Sequence, residues 1–156
     1  MNKKRIAIIG AGIGGMTTAV ALSQKGIDIS IFEQAPVLSE VGAGLTVTPN
    51  ATKGLMYLNL GEEIAKVGMA HEKQGVRHYK TGDMIVPLHR GKKMLEQYGA
   101  YQFQLHRADI HDVLVNELKK NAPDSIYVNH QLSAIKESSE SVELKFTNGE
   151  KNEFDF

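Results

Sequence analysis

The 156-residue sequence contains no cysteine. That excludes disulfides, thiolate metal sites and a cysteine nucleophile at once. It also has no charge excess: 18 basic side chains face 18 acidic ones, and no long run of one sign occurs. A nucleic acid or an anionic membrane surface would need a basic footprint, so neither is expected as a partner. No apolar run approaches the roughly 20 residues of a membrane span. The six histidines (His71, His78, His89, His106, His111 and His130) show no H-x-x-x-H or H-E-x-x-H spacing. Each reads as a surface or structural residue, with no metal implied. His106 and His111 are five apart and share a helix face poorly. Linkers, repeats and low-complexity segments are absent too. These absences suggest a cytoplasmic protein long enough for one domain with a sizeable core.

What is present begins at Ile6. An apolar run, Ile6 to Ile9, leads into Gly10-Ala11-Gly12-Ile13-Gly14-Gly15, then a helical pattern to Lys25, then Ile27 to Phe32 and Glu33. That is strand, glycine turn, helix and strand, closed by an acid. Gly10, Gly12 and Gly15 fill the spacing G-x-G-x-x-G of a dinucleotide site. Gly10 permits the tight turn, Gly12 lets the backbone approach a pyrophosphate, and Gly15 lets the helix pack close to the strand. The diphosphate would sit on the unpaired N–H groups and positive dipole end of the helix. Glu33, 23 residues after Gly10, can accept hydrogen bonds from ribose hydroxyls and would repel a 2′-phosphate. FAD or NAD is therefore favoured over NADP. Met1 to Ala21, with Lys3-Lys4-Arg5 before the apolar run, imitates a secretory signal. Four glycines in six residues would break the apolar helix such a signal needs, and Glu33 would be left unexplained.

The helix spans about Gly14 to Lys25 and buries Met16, Ala19 and Val20, with Ile13 at its margin. Gly26 should be a left-handed C′ residue. In Val41 to Asn50, Gly42 and Gly44 suggest backbone close to a ligand, although an ordinary glycine-rich loop fits the composition as well. Leu45 and Val47 alternate as in a strand. Thr48 then N-caps a helix with Pro49 at its first position and Leu55, Met56 and Leu58 along it. A short helix follows Gly61, carrying Ile64 and Val67 and ending at Gly68. Val76–Lys80 and Met84–Leu88 form a hairpin around Thr81-Gly82-Asp83. Arg90, Lys92 and Lys93 read as a solvated loop, and Tyr101–Leu105 as a strand.

His106-Arg107-Ala108-Asp109 opens an amphipathic helix with Ile110, Val113, Leu114 and Leu118 on one face, stopped by Pro123. Arg107 opposes the helix dipole there, and a local rule broken without visible gain often marks a site. A guanidinium at that place could hold a phosphate bidentately, or simply pair with Asp109 or Asp112. Ser125–Val128 reads as another parallel strand. A meander follows: Leu132–Lys136, Val142–Thr147 and Glu150–Phe156, with Asn148-Gly149 as a type I′ turn. Val142, Leu144 and Phe146 alternate on one side, and Phe154 and Phe156 resume the pattern.

With these residues in hand, the chain resembles the N-terminal part of the class A flavoprotein monooxygenases, the salicylate hydroxylase and p-hydroxybenzoate hydroxylase group. Three stretches carry the resemblance: Ile8 to Gly15 with Glu33-Gln34, Val41 to Leu45 leading to Pro49-Asn50-Ala51, and His106 to His111. It implies an α/β, Rossmann-like FAD/NAD(P)-binding fold with a βαβ start and a β-meander. It implies FAD at the turn formed by Gly10, Gly12, Ile13, Gly14 and Gly15, and Glu33 and Gln34 at the adenosine ribose. Ala43 and Gly44 would lie near the flavin, Arg107 near the diphosphate or ribityl chain, and the backbone around Leu132 near the adenine. In enzymes of this kind NAD(P)H reduces the flavin, O₂ adds to give a C4a-hydroperoxide, and its distal oxygen hydroxylates an electron-rich ring of a small aromatic substrate; the chemistry belongs to the cofactor.

The family's Asp-Gly motif would begin just past Phe156. Its Gly-Asp motif and substrate sheet are also missing from the sequence. Residues 1–156 are therefore expected to be an incomplete FAD-binding domain, without a catalytic residue of its own, that binds FAD poorly by itself and does not turn over. Two other readings stay open. One is an NAD-linked oxidoreductase domain or another two-dinucleotide flavoprotein. The other is a non-catalytic nucleotide-binding module, which a monomeric, cooperatively folding chain would favour. Aggregation through a strand edge at Phe154–Phe156 would favour a truncated enzyme.

Overall fold

A computed structural model describes residues 4–39, 42–72, 74–88 and 90–156. Val41 and His89, named above, lie outside them. In chain order the first elements are β1 (Arg5–Ile9), α1 (Ile13–Ser23), β2 (Asp28–Phe32), β3 (Gly44–Val47), α2 (Pro49–Tyr57) and α3 (Gly61–Val67). Then come β4 (Gln74–Arg77), β5 (Met84–Leu88), α4 (Lys92–Tyr98), β6 (Phe103–His106) and α5 (Arg107–Asn121). The chain finishes with β7 (Ile126–Tyr127), β8 (Leu132–Glu137), β9 (Val142–Phe146) and β10 (Lys151–Phe154). Two compact units result: Met1–Glu40 with His111–Phe156, and Val41–Ile110.

The first unit holds a parallel sheet in the order β1-β2-β7 and an antiparallel meander, β8-β9-β10. The three-and-four spacing of Met16, Ala19 and Val20 buries them on one side of α1. β2 carries Ile29, Ile31 and Phe32, all buried. Both α1 ends move from their expected places. Gly12, extended at φ −71°, is the N-cap, so helix begins at Ile13. At the other end the helix stops at Ser23, short of Lys25, with Gln24 as C-cap, while Gly26 is left-handed as expected at φ +71° and the Ile27 N–H returns to the Leu22 carbonyl around it.

Phe32 joins the two sheets of this unit. It packs with Leu144, Phe146 and Phe154 in one buried cluster, its ring 4.6 Å from that of Phe146 and stacked on Tyr127 at 5.2 Å. The turn after β9 differs from expectation. Positive φ is confined to Gly149 (+90°), and Asn148 does not share it, so type I′ geometry is excluded. Gly149 N–H bonds to the Phe146 carbonyl and Phe146 N–H to the Glu150 carbonyl. This is a three-residue loop with a glycine bulge. Phe154 is buried, whereas the Phe156 side chain is exposed, because the backbone at 155–156 turns onto β1: Asp155 N–H reaches the Arg5 carbonyl and the Phe156 carbonyl accepts Ala7 N–H at 2.9 Å.

In the second unit β3 pairs antiparallel with β6, and β4 with β5. Val47, Leu55, Leu58, Leu60, Ile64 and Phe103 are buried, while Met56 and Val67 are exposed. Thr48 is the N-cap of α2, but its hydroxyl donates to Asn50 Oδ1 at 2.6 Å instead of capping a backbone N–H. Lys92 and Lys93, read above as loop, open α4. The helix is bounded by Gly91 and Gly99, both at positive φ, and good helix formers lie between them. Met84, Ile85, Val86 and Leu88 of β5 are exposed.

Candidate functional site

In the first unit, β1 delivers the chain to Gly10, whose φ of +96° is open to glycine and costly for other residues. The Gly10 N–H bonds to the Phe32 carbonyl at 2.8 Å, fastening the turn to the end of β2. Gly15 has the role expected of it. A Cβ there would collide with the Gly10 carbonyl oxygen and come within 3.3 Å of Ile8 Cγ2. The first intrahelical bond runs from Met16 N–H to the Gly12 carbonyl, and no side chain caps α1. The N–H groups of Ile13, Gly14 and Gly15 thus lack intrahelical acceptors, and the helix dipole adds partial positive charge at the same place. A Cβ on Gly14 would meet nothing within 4 Å, so this helix end is open. An uncapped donor set with open space in front of it fits a diphosphate.

Glu33, half-buried just past β2, accepts the Ala11 N–H at Oε2 and the Ala35 N–H at Oε1, both at 2.9 Å. The acid expected to face a ribose therefore also holds the glycine turn. A carboxylate has about four lone-pair sites, so two remain for ribose hydroxyls. Gln34 is exposed beside it. The backbone of Glu33 is gripped in turn: its N–H bonds to the Tyr127 carbonyl, and its carbonyl accepts His130 N–H at 2.8 Å. Leu132, two residues on, opens β8 at a register shift, with its side chain against the Phe32 cluster.

His130 is buried among Phe32, Tyr127 and Phe146. Its Nδ1 lies 2.7 Å from the Val128 carbonyl and its Nε2 3.0 Å from Glu150 Oε2. Both partners only accept, so imidazolium alone satisfies the two bonds together. Burial pulls its pKa down, yet the bond to Glu150, the bond to Val128 and the Glu150 charge outweigh burial and hold it above 6.5.

In the second unit the β3–β6 ladder assembles residues about 60 positions apart. Gly44 pairs with His106, and Arg107 N–H bonds to the Ala43 carbonyl at 2.9 Å. Ala43, Gly44 and Arg107 thus come side by side, with the Arg107 side chain exposed at the first turn of α5. An open cavity of about 500 Å³ is lined by Gly44, Thr46, Met69, His71, Gln104 and His106. It brings His71 and His106, 35 residues apart, to one opening.

His111, read above as a surface or structural residue, is structural. It is 4% exposed, and its Nε2 lies 2.6 Å from the Ala11 carbonyl oxygen. Its spacing to Leu114 and Leu118, both fully buried, was the available signal, since i, i+3 and i+7 share a helix face. Among the described residues, no group of three His, Asp or Glu side chains is placed to hold a metal ion. Among them, too, no helix is long and apolar enough to cross a membrane.

A parallel βαβ unit with an uncapped glycine turn and a carboxylate at the end of its second strand defines a dinucleotide-binding α/β protein. Comparison with known proteins narrows the class: the family described as FAD binding domain matches residues 3–155, and the chain belongs to it. It is 34% identical over 152 residues to 6-hydroxynicotinate 3-monooxygenase of Pseudomonas fluorescens, covering 97% of this chain and 38% of that one. It is also 34% identical over 145 residues to 3-amino-4-hydroxybenzoate 2-monooxygenase of Streptomyces cremeus, covering 93% and 36%. Among solved structures it resembles Klebsiella pneumoniae HpxO complexed with FAD and uric acid, with a TM-score of 0.83 at 26% identity, covering 98% of this chain and 38% of that one. The chain thus spans little more than a third of the length of these relatives.

Proposed function

We propose that this chain is the FAD-binding portion of an NAD(P)H-dependent flavoprotein monooxygenase that hydroxylates an aromatic or related small molecule with O₂. The family match over residues 3–155 carries the reading, and the monooxygenase names of the relatives supply the reaction class. FAD, when bound, supplies the oxygen-activating chemistry. The protein's own part is to hold and orient it. The N–H groups at Gly12, Ile13, Gly14 and Gly15 would take the diphosphate, with Gly10 shaping the turn. Glu33 and Gln34 would take the ribose, and the backbone at Leu132 the adenine. Ala43 and Gly44 would flank the flavin, and Arg107 would add a fixed positive charge for the diphosphate or ribityl chain. In support of the last three stand their shared ladder end and the unfavourable charge of Arg107 at a helix start.

We place residues 1–156 in one FAD-binding domain, with the substrate-facing residues and the family's later FAD motifs supplied outside it. The share of the relatives that the chain covers, 38%, supports this. The absence of cysteine suits a cytoplasmic setting. The test is a titration of the purified chain with FAD, followed by flavin fluorescence, with NAD and FMN as competitors. Weak but saturable FAD binding that NAD and FMN displace poorly is the expected result. Tight NAD binding without an FAD response would overturn it.

A further inference from the structure

Ala11 lies between two glycines, where the backbone is freest, yet side chains hold both of its polar groups. Its N–H donates to Glu33 at 2.9 Å and its carbonyl accepts from His111 at 2.6 Å. Because the carbonyl can only accept, His111 Nε2 carries the proton. The peptide joining Ala11 to Gly12 is planar and trans, so the Gly12 N–H points opposite to the Ala11 carbonyl. A buried imidazole drawing that carbonyl inward therefore aims the Gly12 N–H outward, beside the open end of α1. The Glu33 bond acts in the same way one peptide earlier. It holds the Ala11 N–H on one side and leaves the Gly10 carbonyl facing Gly15, where no Cβ stands in its way.

We infer that His111 is a positioning residue of the dinucleotide turn: its Nε2–H fixes the Ala11–Gly12 peptide so that the Gly12 N–H faces the cofactor diphosphate before the ligand arrives. The inference rests on the FAD-site reading above and adds a residue to it. His111 is well placed for this role. It lies on the buried face of α5 with Leu114 and Leu118, so the ring reaches the turn from inside the unit and not from solvent. Ordering a residue's backbone costs conformational entropy. A turn ordered in advance spares ligand binding that cost.

Three measurements test this. In the ligand-free chain, ¹⁵N-histidine NMR should report an Nε2–H tautomer for His111; a bare Nε2 overturns the proposal. His111→Leu should shift the Gly12 and Ala11 amide resonances and speed their hydrogen exchange, while His111→Gln, which keeps an N–H donor, restores most of the protection. Unchanged Ala11 and Gly12 amides in His111→Leu overturn it as well. Finally, His111→Leu should weaken FAD and ADP by about tenfold, the value of one lost hydrogen bond, and His111→Gln should recover part of that loss. A control variant, Leu118→Ala, separates positioning from stability. If it lowers the urea midpoint as much and weakens FAD equally, His111 acts through stability alone and the inference fails. Binding of neither FAD nor ADP by the wild-type chain would bear on the FAD-site reading and not on His111, whose role the amide and tautomer data would still decide.

Discussion

Glu33 and Ala11, 22 residues apart, meet through a 2.9 Å hydrogen bond from the Ala11 N–H to Glu33 Oε2, while Oε1 takes the Ala35 N–H. One carboxylate thus ties the glycine turn after β1 to the loop after β2. Glu33→Gln should break this arrangement, because an amide offers one acceptor oxygen and sets its NH₂ against a backbone donor. Hydrogen bonds to a charged group contribute about 1.5–3 kcal/mol. FAD affinity should therefore fall on the order of 10- to 100-fold, read by fluorescence titration. The wild-type carboxylate should also disfavour ADP bearing a 2′-phosphate relative to ADP, and Glu33→Gln should narrow that gap. Equal binding of the two adenosine ligands by the wild-type chain would remove Glu33 from the ribose.

Gly14 and Gly15 should respond in opposite ways to alanine. At Gly15 the new methyl meets the Gly10 carbonyl oxygen, and forcing atoms into a packed position costs roughly 1–3 kcal/mol. The thermal midpoint should drop by several degrees. At Gly14 nothing lies within 4 Å of the Cβ position, and replacing a helical glycine gains about 0.5–1 kcal/mol. Gly14→Ala should leave the free chain as stable as before or more so, yet lower its FAD affinity, since the methyl would take open space in the first turn, where the diphosphate is proposed to sit. A Gly14→Ala chain that binds FAD normally would place the diphosphate elsewhere.

Much of the first unit was legible because its determinants are local. Gly10, Gly12, Gly15 and Glu33 lie within one βαβ unit, where spacing alone dictates who meets whom. Alternation in Val142, Leu144 and Phe146 likewise gave the meander and its core. The adjacency of Ala43 to Arg107 was not legible from patterns, because an antiparallel ladder joins segments about 60 residues apart; only the resemblance put both near one ligand. For His111 the sequence leaves surface and structural roles open; the face it shares with Leu114 and Leu118, and not with His106, is what buries it. Helix α4 was hidden by three basic residues that suggested solvent, whereas its ends are set by Gly91 and Gly99. Asn148-Gly149 marked a hairpin correctly but gave the wrong turn, since those two residues also suit a three-residue loop with its glycine last.

Arg107 offers a way to separate charge from packing. Its side chain is exposed at the start of α5, so truncation should perturb folding little. Arg107→Ala should weaken FAD by roughly tenfold or more if the guanidinium meets a phosphate, as charge-assisted bonds are the stronger kind. Arg107→Lys should recover only part, because an ammonium lacks the bidentate fork. Raising ionic strength should weaken FAD binding more in the wild type than in Arg107→Ala. A salt response equal in both chains would show that Arg107 does not face the cofactor.

His130 makes stability depend on pH, and the sign follows from its bonds. Burial lowers its pKa, but the hydrogen bonds to Glu150 and Val128, with the Glu150 charge, raise it above the ordinary 6.5. A histidine whose folded pKa exceeds its unfolded one stabilises the fold fully below the unfolded value, and that contribution is lost as pH rises through the folded one. The urea midpoint should therefore fall as pH is raised from below 6.5 to above it. Because Glu150 is largely exposed, solvent screens the pair and the change should be modest. Glu150→Gln removes the charge and one acceptor, so it should flatten this slope and lower stability at acidic pH more than at alkaline pH. The same titration should reach the cofactor. His130 N–H holds the Glu33 carbonyl at 2.8 Å, so loosening the 128–130 segment loosens the residue expected to meet the ribose. FAD affinity should decline with rising pH in the wild type and less steeply in Glu150→Gln. A midpoint that rises over the same range would mean His130 is neutral in the fold, with one of its two ring bonds unmade.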